Sequence, residues 1–355
     1  MDEGQIMGYV GVGILSVTLV AAIVYYMMSS SPSDAVQRAK NNNATYEKVL
    51  ALAPLGSEPY KLCDYYVASS SYTVFPGSST TDYISDDIIP LVIKSGARVI
   101  ELDVYDGDVP SVGLKNQTIG YDYANNSIPL EKCCVAIGNS AFSGVLSSDP
   151  FILSLMFHTE NNNTLNASSQ IIKDTLGRFL LGPEYAFHRK NLAQEPIENL
   201  KGKLIIVSGG AMKHTKMHEL VNLSWSTSDL RRLTYMQASQ PYDHDELIES
   251  NKKSICMVVP DPDPDLKNNN PVVVSGYGCQ WNLMNYGSLD SMMELNIEKF
   301  QQGSFVLKPE HLRFKPVEAK VPVLPDPATH SFQPMMHTSP IYDMNPKTGD
   351  KSIVI

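Results

Sequence analysis

No histidine occurs before His158 in this chain of 355 residues. Imidazole is the commonest acid–base group near neutral pH, so everything upstream must do without one. Cysteine is sparse too. Cys63, Cys133, Cys134, Cys256 and Cys279 form no C-x-x-C pair and show no metal-type spacing. An odd count of this kind reads as reduced, structural thiols. Excess positive charge is absent, since 28 basic side chains face 38 acidic ones for a formal net charge of −10. An acidic chain has no general electrostatic pull toward nucleic acid or anionic lipid, so no nucleic-acid partner is expected.

One long apolar run is present. Ile6 to Met28 carries no charged residue, and about 20 such residues cross a bilayer. This predicts an uncleaved, single-pass anchor that makes the lipid bilayer a partner. Asp2 and Glu3 precede the run while Arg38 and Lys40 follow it, which favours the cytoplasmic or virion-interior side for the body. Sequons at Asn43, Asn116, Asn162, Asn166 and Asn222 would suit the opposite orientation. The expected order is a leader (1–5), a transmembrane helix (6–28), a tether (29–44), a globular body (45–316) and a tail (317–355). The tail follows from Pro316, Pro322, Pro325, Pro327, Pro334, Pro340 and Pro346, with helix and strand periodicity lost. It reads as an extended surface for a protein partner, and Ile353–Ile355 could add a strand to a sheet edge.

Within the body, apolar runs alternate with helical patterns, as in a parallel sheet. Strands are predicted at Tyr65–Ser69, Arg98–Tyr105, Phe151–Phe157, Lys203–Ser208, Arg232–Ala238, Ser254–Pro260 and Gln280–Tyr286, with an eighth near Pro110–Leu114. Helices are predicted at Ile84–Lys94, Gln170–Leu181 and Tyr242–Asn251. Eight strands suit an α/β (β/α)8 TIM barrel. The most informative stretch is Gly96 to Gly107, where an apolar strand carries Glu101 and Asp103 two residues apart and hence on one face. Two acids on a buried strand suggest a cation or a reacting group nearby.

An ordered set of motifs resembles phosphoinositide-specific phospholipase C. The strand running into Ser69-Ser70-Ser71-Tyr72 is similar to the family's first barrel strand, and Gly96–Asp108 to the strand that carries its calcium ligands. Leu153-Ser154-Leu155 with His158 resembles the fourth strand. An X-like half would span 45–190 and a Y-like half 200–316. The Y half is carried by Leu200–Ile206, by Tyr277-Gly278-Cys279-Gln280 with Asn285-Tyr286, and by Gly303–Pro309. The resemblance implies cleavage of a phosphodiester using two early-loop histidines and Ca2+. The first histidine position reads Ser71 and the calcium-binding Asn beside it reads Tyr72. The loop for the second, Val112-Gly113-Leu114-Lys115-Asn116, holds no histidine. The fourth-strand Glu and Asn read Met156 and Phe157, the phosphate-binding lysines read Val207-Ser208-Gly209, and the later arginine reads Met257.

Glu101 and Asp103 are therefore read either as residual cation ligands or as structural carboxylates bonding loop amides. No other cofactor is expected, and Ca2+ only if that site still functions. His158 reads as a core histidine held by a hydrogen bond rather than as a catalytic group. His214 and His218, at i and i+4, read as a solvated face rather than a zinc pair, because Glu219 follows them instead of sitting between. Asp261, Asp263 and Asp265 read as an acidic turn, since Leu266 and Val272 stand where a calcium loop needs Gly and Glu. Cys256 and Cys279 read as small apolar fillers. Ser69–Ser71 have no positioned base that would make a nucleophile. The expected function is a membrane-anchored, inactive phospholipase-C-like scaffold of a membrane or virion assembly, binding protein partners through its tail or barrel mouth. The alternative is a diverged metal-dependent phosphodiesterase using Glu101 and Asp103.

Overall fold

The computed structural model describes residues 12–23, 31–77, 81–116, 120–210, 212–262, 265–315, 342–344, 348 and 351–353. The chain divides into two units, Met1–Phe314 and Lys315–Ile355. Residues 12–23 of the apolar run are helical, with Val12, Ile14, Leu15, Val17, Leu19, Val20 and Ile23 exposed. The rest of the predicted span lies outside the described residues, and among these no helix is long and apolar enough to cross a membrane.

The predicted tether is instead helical. Ser31-Pro32-Ser33-Asp34 forms a capping box with Pro at the first position, and helix α1 (Pro32–Val49) follows. The sequence reading gave weight to Ser, Asn and Pro as loop formers and missed that they spell a helix start. Ala35, Ala39, Asn43 and Tyr46 form its buried face. Asn43 Nδ2 donates to Leu91 O (3.1 Å) and Ser95 Oγ (2.9 Å), and Tyr46 OH donates to Tyr286 O (2.9 Å). The helix is part of the body.

Strand β1 (Tyr65–Val67) pairs antiparallel with a late strand and stays outside the barrel; β2 (Ser69–Ser71) enters it. Helix α2 (Ile88–Lys94) leads to β3 (Val99–Tyr105), and β4 (Ser111–Gly113) follows. Helix α3 (Leu130–Ser140), β5 (Phe151–Phe157), α4 (Asn162–Leu176), β6 (Leu204–Ser208), α5 (Met217–Leu220) and β7 (Leu223–Ser224) complete the first part. Then come β8 (Leu230–Thr234), α6 (Tyr235–Ser239), α7 (His244–Asn251), β9 (Ile255–Val259), α8 (Pro271–Gly276) and β10 (Trp281–Asn285). Helix α9 (Ser291–Lys299) and β11 (Phe305–Leu307), the partner of β1, close the unit.

The barrel path is β7-β6-β5-β3-β2-β10-β9-β8, and every neighbouring pair is parallel. The path stays open between β7 and β8. Two sequence expectations need correction here. The strand near Pro110–Leu114 is β4, which folds back antiparallel on β3 with Asp103 opposite Gly113. The eighth wall strand is β7, two residues long and too short to leave a periodic signal. The strand predicted to reach Ala238 stops at Thr234, whose side chain caps α6 in a capping box with Gln237. In the second unit, predicted to be without strands, β12 (Tyr342–Met344) pairs antiparallel with β13 (Lys351–Ile353). Asn-Pro-Lys-Thr-Gly-Asp between them is rich in turn formers. Ile353 is thus paired inside the tail, opposite Tyr342.

Period-two alternation separates core from site. On β3 and β5, Ile100, Leu102, Val104, Phe151, Leu153 and Leu155 pack outward beneath the helices. Val99, Ile152, Ile205, Ile255, Trp281 and Leu283 fill the barrel's interior instead. The inward positions that follow Val99 along β3 are Glu101 and Asp103, so the filling turns from apolar to acidic toward the strands' C-terminal ends.

Among the buried charges outside that layer is Lys308. It is 1% exposed and its Nζ donates to Asn251 O (2.8 Å) and Gly278 O (3.4 Å). Burial lowers its ammonium to about 8, with Cys63 and Asp64 pulling weakly the other way.

Two outcomes follow. Tyr46→Ala should lower unfolding free energy by about 3 kcal/mol, through lost burial and an orphaned Tyr286 carbonyl; a tether would give a value near zero by urea unfolding. The depressed Lys308 value means that the unfolded chain holds the proton more tightly, so Lys308 opposes folding at pH 7 and stops doing so above its ordinary 10.5. Wild-type unfolding free energy should accordingly rise by roughly 3 kcal/mol between pH 7 and 10.5, a rise that Lys308→Met lacks, on top of a pH-independent offset from the carbonyls of Asn251 and Gly278 that lose their donor.

Candidate functional site

At the C-terminal ends of the barrel strands, Glu101 and Asp103 meet two side chains that are themselves basic. Arg232, the inward residue of β8, donates Nη2 to Glu101 Oε1 at 2.9 Å. Ser154, opposite Glu101 in the β3–β5 register, donates Oγ to Glu101 Oε2 at 3.0 Å. Both carboxylate oxygens are therefore held from within the protein, and the side chain is 8% exposed. Asp103 Oδ1 lies 2.6 Å from His158 Nε2. The imidazole is stacked on Tyr105, with centroids 4.5 Å apart and planes 6° from parallel. Among the described residues neither carboxylate bonds a loop amide, which was the structural alternative for the two. His158 has the hydrogen bond expected of it, but the partly buried ring stands at the mouth, paired with one of them, rather than in the core.

The electrostatics follow from this arrangement. Burial would lower the Arg232 guanidinium, but Glu101 and then Asp103 outweigh it and raise its pKa. Burial pushes the Asp103 carboxyl above its ordinary value against the pull of the His158 bond, and Glu101 adds to the push.

Neighbouring residues hold these groups in place. A Cβ on Gly209 would fall 1.9 Å from Trp225 Nε1, so only glycine lets the indole cross the end of β6. Trp225 in turn carries Arg232, whose Cζ is 5.4 Å from the ring centroid. A Cβ on Gly113 would meet the Tyr105 ring at 3.1 Å, so β4 lies flat against the ring that backs His158.

The remaining predicted positions fall as follows. Ser71 ends β2 opposite Asn285, and its Oγ is buried without a hydrogen-bond partner. Tyr72 has φ +52°, a left-handed turn rarely taken by a bulky residue. Val112 and Leu114 are buried, Lys115 pairs with Asp122 at 3.6 Å, and nothing in that hairpin is an acid or base for the mouth. The side chain of Asn116 lies outside the described residues. Met156 faces Asp103 across β5, and Met257 lies beside Arg232 in the β8–β9 register. The sequence alignment placed the arginine position on Met257 and so missed that the neighbouring strand brings a cation to the same level. The adjacent arginines in Leu230-Arg231-Arg232-Leu233 were the available signal, but the pair breaks the period-two alternation and does not say which of them faces inward. Arg231 points away, to Glu246 at 2.7 Å.

His214 sits at φ +67° ahead of α5, so His214 and His218 do not share a helical face. His218 stacks on His188 at 5.2 Å instead. Asp261 accepts from Met236 N (3.0 Å) and Asp265 pairs with Lys267 (2.7 Å), while Asp263 lies outside the described residues. All five cysteines are buried and free.

Calcium takes six to eight oxygen ligands. Here two carboxylates carry a guanidinium and an imidazole within hydrogen-bond distance, and Met156 and Phe157 bring no oxygen from their side chains. Among the described residues, no group of three or more His, Cys, Asp and Glu is arranged to hold a metal ion. The residues present do not fit a calcium site.

Arg232→Met would leave Glu101 buried and unpaired, and should cost about 3–5 kcal/mol in urea unfolding. Adding Glu101→Gln should return most of that loss; additive costs in the double-mutant cycle would show that the pair is not coupled.

Residues 59–209 match the family described as phosphatidylinositol-specific phospholipase C, X domain. The structure of S. officinalis PLC21 is similar over 74% of this chain and 39% of its own, with TM-score 0.63 and 23% identity. That of L. pealei PLC21 is similar over 75% of this chain and 39% of its own, with TM-score 0.65 and 20% identity. The similarity therefore spans well under half the length of either relative. No curated protein matches the chain. By its parallel barrel and by the match over residues 59–209, this is a phosphoinositide-phospholipase-C-like TIM barrel.

Proposed function

We propose that the protein is a catalytically inactive phospholipase-C-like barrel, held at a membrane by residues 6–28 and kept as a binding or structural scaffold in a membrane or virion assembly. The observation that carries this reading is the Arg232–Glu101 pair. A protein-borne cation occupies the carboxylate on which a metal would have to be held. A divalent ion would have to displace the guanidinium and then find most of its oxygens elsewhere. The missing upstream histidines add to this, because no imidazole can come from the β2 or β4 loops. The exposed Val, Ile and Leu side chains of helical residues 12–23 support an anchor, and the tail or the remodelled mouth would be the surface for a protein partner.

One observation favours a second reading, a diverged phosphoric diester hydrolase. His158 and Asp103 form an acid–base pair in the mouth at 2.6 Å, and the Asp103 carboxyl is raised. One assay separates the two. The full-length chain, reconstituted in phosphatidylinositol vesicles, should release no inositol phosphate above background with either Ca2+ or chelator. Calcium-dependent release that disappears in Glu101→Ala would overturn the inactive reading.

A further inference from the structure

Helix α1 runs along the barrel wall, and its two ends meet opposite faces. Near its start, Arg38 pairs with Asp82 in the loop after β2, and Asn42 Nδ2 donates to Gly287 O (2.9 Å), just past the end of β10. Both partners belong to the C-terminal ends of the strands, the face that carries the mouth. At its other end, Gln301 Nε2 donates to Val49 O (3.1 Å), Ala51 N to Gln301 O (2.8 Å) and Leu55 N to Asp149 Oδ1 (2.8 Å). Asp149 stands just before β5 and Gln301 just past α9, so both belong to the opposite face, the base. With 18 residues at a rise of 1.5 Å each, α1 is ~27 Å long and descends from the rim of the mouth to the base.

The chain enters this helix almost directly from the apolar run. Only Ser29 and Ser30 separate Met28 from Ser31, which closes the capping box. Residues 29–31 reach at most ~10 Å.

From this geometry, and resting on the reading of residues 6–28 as a membrane anchor, we propose that α1 turns the barrel mouth toward the bilayer and that the rim of the mouth is an interaction surface for zwitterionic lipid headgroups. With the base against the bilayer, Ser31 would stand a whole helix length above it, and ~27 Å is more than residues 29–31 can span. Contact through the α1 side is opposed by composition. The outward residues Ser33, Asp34, Gln37, Lys40, Asn41 and Lys48 are polar or charged and exposed, whereas a helix resting in an interface offers it an apolar face. The mouth is the face that remains.

The rim suits that partner. Val109, in the turn from β3 to β4, is 53% exposed, and Met236, just past β8, is 64% exposed. A headgroup layer can cover both. Asp106 and Asp108 precede Val109 in its turn, and Glu160 follows β5 on the same face, all three exposed. Acids there are repelled by anionic lipid and tolerated by a zwitterionic surface. A protein partner arriving from solution then finds the mouth covered, which leaves the tail as its surface.

The test is fluorescence quenching on the full-length protein reconstituted in phosphatidylcholine vesicles that carry a nitroxide on the headgroup. Single labels go on Val109→Cys and Met236→Cys at the rim, and on Val145→Cys at the base, an exposed position between α3 and β5. The five native cysteines are buried and stay unlabelled. Rim labels should be quenched at least ~3-fold more than the base label, because a helix length separates the faces and contact quenching does not reach across it. A Gly-Ser insert of ~20 residues between Met28 and Ser29, spanning ~25 Å on average, should abolish most of that contrast. Rim and base quenched alike, or a contrast untouched by the insert, would overturn the proposal while leaving the anchor reading intact. Stronger rim quenching once phosphatidylserine is added would overturn the zwitterionic assignment. A chain that fails to float with the vesicles would overturn the anchor reading, and the proposal with it.

Discussion

The ion pair between Arg232 and Glu101 sets the character of the barrel's upper layer. Removing two charges from water costs several kcal/mol per ion, and attraction offsets this only when geometry is good and the remaining lone pairs are satisfied. Here Ser154 takes the second carboxylate oxygen and Trp225 supports the guanidinium face. Trp225 can do so only because position 209 is glycine. Asp103 then adjusts to a neighbour that is already neutralised. It lies close enough to Glu101 to feel repulsion, and His158 answers with a bond of 2.6 Å, braced by Tyr105. Each of these contacts is intelligible only after the first is in place.

Charge accounting shows how little the arrangement offers a divalent ion. Glu101 and Asp103 together offer two negative charges, of which Arg232 cancels one. What remains is a single carboxylate with an imidazole against it. A metal entering this layer would gain attraction to one group while meeting repulsion from the guanidinium bonded to Glu101. Site and cation are thus covalently one molecule, and the local concentration of the internal cation is not matched by any ion in solution.

Much of the fold could be read in the sequence, because the information was periodic. Gly96–Gly107 announced a strand with two acids on one face, and the structure puts Glu101 and Asp103 on the inner face of β3. What stayed hidden was short or non-local. Strand β7 has two residues, and no periodicity survives in two residues. The Arg232–Glu101 contact joins positions separated by 131 in the chain, and nothing in Leu-Arg-Arg-Leu says which arginine faces inward. The α1 start was a different case: the Ser-Pro-Ser-Asp signature was present, but residue composition was given more weight than capping chemistry.

The alternation along each strand also explains how such a barrel can keep its fold while its chemistry changes. Outward residues of β3 and β5 pack under the helices, and the lower inward residues pack around Trp281; these two sets bury the apolar surface that drives folding. Only the last inward position or two of each strand faces the mouth. A substitution there, such as methionine at 156 or 257, meets the outer core only through the backbone. The mouth residues do interact strongly with one another, so they cannot drift independently. Once a cation rises from β8 to meet Glu101, a mouth lacking that cation would leave a buried carboxylate unpaired. The same coupling that stabilises the present arrangement therefore penalises single substitutions in the mouth, because removing either partner of the pair strands a buried charge.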